Sequence, residues 1–208
     1  GSGVLLEKRA SAMLTGALER LGAVGEIVPV SGYRSEAEQR EIWDSSMAEN
    51  GEDFTRKFVA APGCSEHQTG LAIDLALRAE DIDFIRPDFP YDGVCGRFRE
   101  IAPDYGFIER YPAGKEDITG IAAEPWHFRY VGRPHARLMR DMGLTLEEYV
   151  EFLRGYPYPG RLLSTSNGGY DALIGFAHSY EPEEHRAPCQ VSGNNVDGYI
   201  LTLWRLPA

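Results

Sequence analysis

The chain alternates between stretches whose apolar residues recur every three or four positions and short stretches in which they recur every second one. Leu6, Ala10, Met13, Ala17 and Leu21 follow the first pattern and Gly22 comes after them, which predicts an amphipathic helix over Val4–Leu21. A short apolar run, Glu26–Val30, predicts a strand. Ser35 followed by Glu38 is a capping box that starts a second helix, running to about Asn50. Arg34 then sits at a strand-to-helix junction, a place that holds a side chain firmly at the end of a sheet.

The second pattern marks two strands. In "GLAIDLAL", Leu71, Ile73, Leu75 and Leu77 share one face, while Ala72, Asp74 and Ala76 share the other. In "EPWHFRYVG", Glu124 precedes a proline and is biased to extended geometry. Trp126, Phe128 and Tyr130 then alternate with His127, Arg129 and Val131, so His127 faces away from the aromatic side. Between the two strands lie an acidic, proline-containing loop, a short helix near Arg97–Tyr105 and a strand at Phe107–Tyr111. "PHARLMRDMG" and "TLEEYVEFLRG" predict two more helices, the second capped by Thr145 with Glu148 and closed by Gly155. From Tyr156 onward the composition shifts to β-rich runs broken by hairpin turn signals such as "NGG". The expected organisation is an expression scar at 1–3, one domain over 4–155 and a β-rich extension over 156–208.

Composition narrows the function classes. A chain of 208 residues, 43% hydrophobic, is long enough for one compact core. With 32 acidic against 21 basic residues, a net charge of -11 and no basic run, nucleic acid is excluded as the main partner. Cys64, Cys95 and Cys189 show no CxxC spacing, so neither a disulfide framework nor a thiolate zinc site is indicated, and a reducing, cytoplasmic compartment is expected. No apolar run approaches the roughly 20 residues of a membrane span. The opening Gly-Ser-Gly reads as an expression scar, which leaves open a native leader or membrane anchor ahead of it. Nothing in the pattern specifies an oligomer.

One set of residues suggests chemistry. A catalytic zinc ion takes three nitrogen or oxygen ligands from the protein and keeps a fourth position for water. His67, Asp74 and His127 supply such a set: Gly70 lets the chain turn between His67 and the strand carrying Asp74, and His127 comes from another strand. Glu124 is the right kind of group to accept a proton from water activated there. Taken singly, each residue is better explained as a hydrogen-bonded core side chain. What shifts the balance is an Asp on a strand face of small residues, where an unpaired buried charge is costly, together with a second His-bearing strand preceded by Glu.

"SGYRS" with Gln39, "SEHQTGLAIDL" and "EPWHFRYVG", in that order, resemble the zinc D,D-peptidases of the VanY type, the D-alanyl-D-alanine carboxypeptidase family. The intervening segments look closest to its VanXY branch, whose members act as both D,D-dipeptidase and D,D-carboxypeptidase in glycopeptide resistance. The resemblance implies an α+β fold of the Hedgehog and D,D-peptidase type, with a central antiparallel sheet flanked by helices, here followed by the β-rich extension. It implies one catalytic zinc ion on His67, Asp74 and His127, with Glu124 as the base. It further implies that Arg34 polarises the scissile carbonyl, that Ser65 contacts the substrate's terminal carboxylate and that Gln39 positions the substrate. Asp92 corresponds in position to an aspartate that dipeptidase members use for the substrate's amine. The expected substrates are D-Ala-D-Ala and pentapeptide cell-wall precursors. Two other readings stay open: an endolysin-like L-alanyl-D-glutamate peptidase, and a non-catalytic zinc-containing binding module. In the extension, the spacing of His178, His185 and Cys189 fits no standard metal motif.

Overall fold

The computed structural model describes residues 3–167, 170–181 and 189–205. By their contacts they fall into two units, Gly1–Thr145 and Leu146–Ala208.

In the first unit the order is α1 (Lys8–Leu21), β1 (Ile27–Ser31), α2 (Glu36–Asn50), α3 (Glu52–Phe58), a 3-10 turn (Glu66–Thr69), β2 (Ala72–Leu77), α4 (Gly93–Ile101), a second 3-10 turn (Ala102–Tyr105), β3 (Phe107–Tyr111), α5 (Glu116–Thr119), β4 (Glu124–Tyr130) and α6 (Arg133–Met142). The strands form one antiparallel sheet in the order β1-β2-β4-β3. Pro29, which has no N–H to give, lies on an edge strand, where that loss is tolerated.

Several element ends follow local chemistry. Gly22 stops α1 in the left-handed conformation, at φ 65°, and Ser35 and Glu38 exchange both capping-box hydrogen bonds at the start of α2. Two boundaries differ from the sequence pattern. The first helix begins at Lys8 rather than Val4, because Glu7 turns its carboxylate onto the amides of Arg9 and Ala10. The residues before it are extended: Leu5 O accepts from Tyr33 N at 2.6 Å and Glu7 N donates to Gly70 O at 2.8 Å. The helix expected near Arg97 starts earlier, at Gly93, and tightens into the second 3-10 turn after Ile101.

The sheet is buried on both faces. Ile73, Leu75, Trp126, Phe128 and Phe107 pack with Ala10, Leu14 and Leu18 of α1 and with Val94, Cys95 and Phe98 of α4. At the centre Phe89, Phe98 and Phe128 meet edge to face, with ring centroids 5.1–5.9 Å apart, a geometry favoured by the aromatic quadrupole. The opposite face carries the polar side chains of β2 and β4.

The second unit holds α7 (Leu146–Leu153) and β5 (Leu163–Asn167), β6 (Tyr170–Ala177), β7 (Cys189–Gly193) and β8 (Tyr199–Trp204). These strands form a second antiparallel sheet, in the order β5-β6-β8-β7. Arg154 joins Asp197 through its two terminal guanidinium nitrogens and lies over the Phe176 ring within this unit.

Candidate active site

The polar face of the first sheet is the floor of a cleft. Asp74 of β2 stands directly across from His127 of β4 in the ladder, and His67 arrives from the 3-10 turn that closes at Gly70, where a φ of 69° suits a residue without a Cβ. Asp74 Oδ1 lies 2.8 Å from His127 Nδ1, and its Oδ2 lies 3.2 Å from His67 Nε2. One ligating atom from each residue lies within 4.8 Å of the others, and all three residues are buried.

Ligands held about 2.0–2.1 Å from a tetrahedral zinc ion stand roughly 3.3 Å apart. The two contacts of Asp74 are close to that spacing, and two imidazoles with one carboxylate are a donor set suited to a divalent transition metal. The His67 ring is oriented to ligate, because its Nδ1 meets Gly32 O at 2.6 Å, which puts the proton on Nδ1 and leaves Nε2 free to face Asp74. The metal-free electrostatics agree. Burial works to raise the Asp74 carboxyl, but His67 and His127 hold it well below its ordinary range; burial works to lower His127, but Asp74 outweighs it and the imidazole is held up.

Glu124 is brought in by a bulge. Residues three apart on a regular strand point to opposite faces, yet Glu124 Oε2 lies 3.8 Å from His127 Nδ1. The ladder between β3 and β4 slips between Glu109 and Tyr111, so that Glu109 faces Phe128 while Tyr111 faces Glu124. Burial, with the Asp74 and Glu66 charges adding to it against His127 and Arg34, pushes the Glu124 carboxyl up to about 7. A carboxylate poised there takes and returns protons near neutrality.

Arg34 comes from the junction between β1 and α2, and its backbone N–H donates to the carbonyl of His67 at 3.2 Å. Its guanidinium lines the cleft, its Nε is buried with no hydrogen-bond partner among the described residues, and burial lowers its pKa against the pull of Asp74 and Glu124. Ser65 and Gln39 line the same cleft. Ser65 starts the 3-10 turn without capping it through its side chain. Gln39 Nε2 donates to Ala60 O at 2.6 Å, and its Oε1 has no partner among the described residues. Asp92 is not brought to this cluster: it is exposed at the start of α4 and absent from the cleft lining.

Ile42, Phe58, Val59, Phe84, Ile85 and Ile121 make an apolar wall to the cleft. The sequence pattern does not single out Glu66, Gly32, Tyr111 or Trp126 as parts of the site. Trp126 and Tyr111 carry only the signature of strand residues, and Gly32 acts through its backbone carbonyl. In the extension, His178 is exposed against the Phe176 ring, Cys189 is a free thiol on β7, and His185 lies outside the described residues.

The chain as a whole is similar to known proteins. The family profile described as VanY, D-alanyl-D-alanine carboxypeptidase, matches residues 6–133. The chain is 51% identical over 133 residues, 64% of its own length and 70% of the relative's, to the bifunctional D-Ala-D-Ala dipeptidase and D-Ala-D-Ala carboxypeptidase VanXYC of Enterococcus gallinarum. It is similar to the solved vancomycin resistance D,D-dipeptidase VanXYg in complex with a D-Ala-D-Ala phosphinate analog, with a TM-score of 0.92, 49% identity and coverage of 98% of this chain and 83% of that one. A variant of the D,D-pentapeptidase VanY from a VanB-type resistance cassette, solved in complex with Zn(II), superposes with a TM-score of 0.62 at 34% identity, covering 72% of this chain and 86% of that one.

Proposed function

The chain belongs to the VanY family of D-alanyl-D-alanine carboxypeptidases, and from that membership we propose that it is a zinc metallopeptidase that hydrolyses D-alanyl-D-alanine termini of peptidoglycan precursors. The reading takes in both the free dipeptide and the pentapeptide, and a place in glycopeptide resistance. The observation that carries it is the convergence of His67, Asp74 and His127 within 4.8 Å, with Glu124 beside them.

His67, Asp74 and His127 would hold one zinc ion. When bound, zinc supplies Lewis acidity, making water a better nucleophile at neutral pH and polarising a carbonyl. The rest of the work falls to the chain's own side chains. Glu124 takes the proton of the attacking water and delivers it to the leaving D-alanine amine. Arg34 faces the scissile carbonyl and offsets the negative charge that develops on its oxygen; charge stabilisation of this kind is the largest single contribution to acyl transfer in many hydrolases. Ser65 contacts the substrate's terminal carboxylate. Gln39, whose amide N is committed to Ala60 O, offers an oxygen and so accepts from a substrate N–H. Asp92 is kept as the partner of the dipeptide's ammonium, a role that requires the loop bearing it to approach the cleft.

The chemistry is assigned to residues 4–155, and 156–208 are an extension outside it. The three free cysteines support a reducing, cytoplasmic setting. Among the described residues no helix is long and apolar enough to cross a membrane.

The test is D-alanine release from D-Ala-D-Ala and from a D-Ala-D-Ala-terminated pentapeptide, each with and without a chelator. Chelator-sensitive release from both is expected. Release from neither, with zinc bound, would favour the binding module; cleavage of an L-alanyl-D-glutamate bond instead would favour the endolysin-like reading.

A further inference from the structure

His127 has two ring nitrogens, and only one of them faces the proposed metal. Nδ1 points to Asp74 Oδ1 at 2.8 Å and to Glu124 Oε2 at 3.8 Å. Nε2 points the other way, into protein. It is buried, has no hydrogen-bond partner among the described residues, and stands 3.6 Å from Oε2 of Glu66. That oxygen is itself buried and without a partner among the described residues. Two orphaned polar atoms, one able to donate and one only to accept, therefore face each other a few tenths of an ångström beyond hydrogen-bond distance.

Glu66 is not loose. Its other oxygen, Oε1, receives Arg110 Nε at 2.8 Å and Arg129 Nη1 at 3.2 Å. Arg129 lies two residues beyond His127 on β4 and Arg110 lies on the neighbouring β3. The two guanidiniums fix the direction of the carboxylate.

We propose that Glu66 is a positioning residue for the metal site: pinned by Arg110 and Arg129 through one oxygen, it receives the Nε2–H of His127 with the other and so commits Nδ1 to the metal. The inference rests on the zinc reading given above. Gly32 O does the same for His67 through Nδ1, so the two imidazoles are held in opposite tautomers, each by an acceptor behind the ring.

Glu66→Gln separates this role from simple packing. The arginines require an oxygen on their side, so the amide NH2 is turned toward His127 Nε2. A donor in that place favours the tautomer protonated on Nδ1, the one that cannot ligate. Zinc affinity, measured by competition with a chromophoric chelator, is expected to fall about 10- to 100-fold, while the metal-free variant retains the far-UV dichroism of the parent. An affinity within about threefold of the parent would overturn the proposal. Should the variant not fold, nitrogen NMR of the zinc-loaded parent decides alone: a proton on His127 Nε2 and none on Nδ1 supports the assignment, and the reverse overturns it. If the parent binds no zinc, the metal reading fails first; if it binds zinc and these results go the other way, only the role of Glu66 fails.

Discussion

Glu124 and His127 lie on the same strand at a spacing that ordinarily sends side chains to opposite faces, and yet a carboxylate oxygen of one stands 3.8 Å from the imidazole of the other. The slip in the β3–β4 ladder makes this possible. The carboxylate is beside the ligand cluster without being part of it. Glu124→Ala is therefore expected to keep one zinc per chain and to lose about 10²- to 10⁴-fold in kcat. Metal content and turnover measured on the same preparation check this; a zinc-loaded variant with normal turnover would remove the role.

Among the described residues, Arg34 is the only arginine or lysine that lines the cleft. Arg34→Ala is expected to lower kcat by about 10²- to 10³-fold with little change in zinc affinity. Arg34→Lys should recover part of the loss, since it keeps charge but not the planar fork. An effect confined to KM would show that Arg34 binds substrate without acting on the developing oxyanion.

Proton and metal compete at His127. In the metal-free protein burial opposes protonation but Asp74 prevails, and the imidazole is pushed up from 6.5 to about 10. A folded-state pKa above the unfolded one stabilises the fold fully below pH 6.5 and loses that contribution as the pH rises through about 10. Zinc must expel the same proton, so its affinity should rise about tenfold per pH unit between neutrality and the upper end of that window. Titrations at several pH values read this directly, and a pH-independent affinity would contradict it. Thermal unfolding should show the mirror image, with the metal-free protein growing less stable as the pH rises while the zinc-loaded protein changes little.

Gly32 has no room for a side chain. A Cβ there would sit 2.2 Å from the carbonyl oxygen of Leu5. Gly32→Ala is expected to destabilise the fold by about 1–3 kcal/mol through this overlap, and also to weaken zinc binding, because Gly32 O is the acceptor behind His67. Chemical denaturation and metal competition on the same variant test the two effects. Loss of stability with unchanged zinc affinity would mean that the carbonyl stays in place when the segment over it moves.

Much of the site is legible in the sequence, for identifiable reasons. Alternation in "AIDLAL" and "WHFRY" puts Asp74 and His127 on the face away from the aromatic core, and a two-residue period leaves little freedom once one face is apolar. The capping box at Ser35 places Arg34 at its junction. What alternation does not show is how Glu124 joins the cluster, because that depends on a bulge set by the partner strand. Nor does it show Glu66: as the residue before His67 in a 3-10 turn it has no periodic signature, and its partners Arg110 and Arg129 are distant in the chain. The start of α1 departs from the periodic pattern for a similar reason, since the polar groups of Leu5 and Glu7 are claimed by Tyr33 and Gly70 rather than by the helix.

Those two hydrogen bonds tie the residues ahead of α1 to both supports of His67: one clasps the strand end that supplies the carbonyl behind its ring, the other the glycine that closes the turn on which it sits. Removing the seven residues ahead of α1 would take little from the aromatic centre of the unit. It would nevertheless untie two loops in a single cut, so tolerance of the fold to trimming at this end is a poor guide to whether the trimmed chain can still grip an ion.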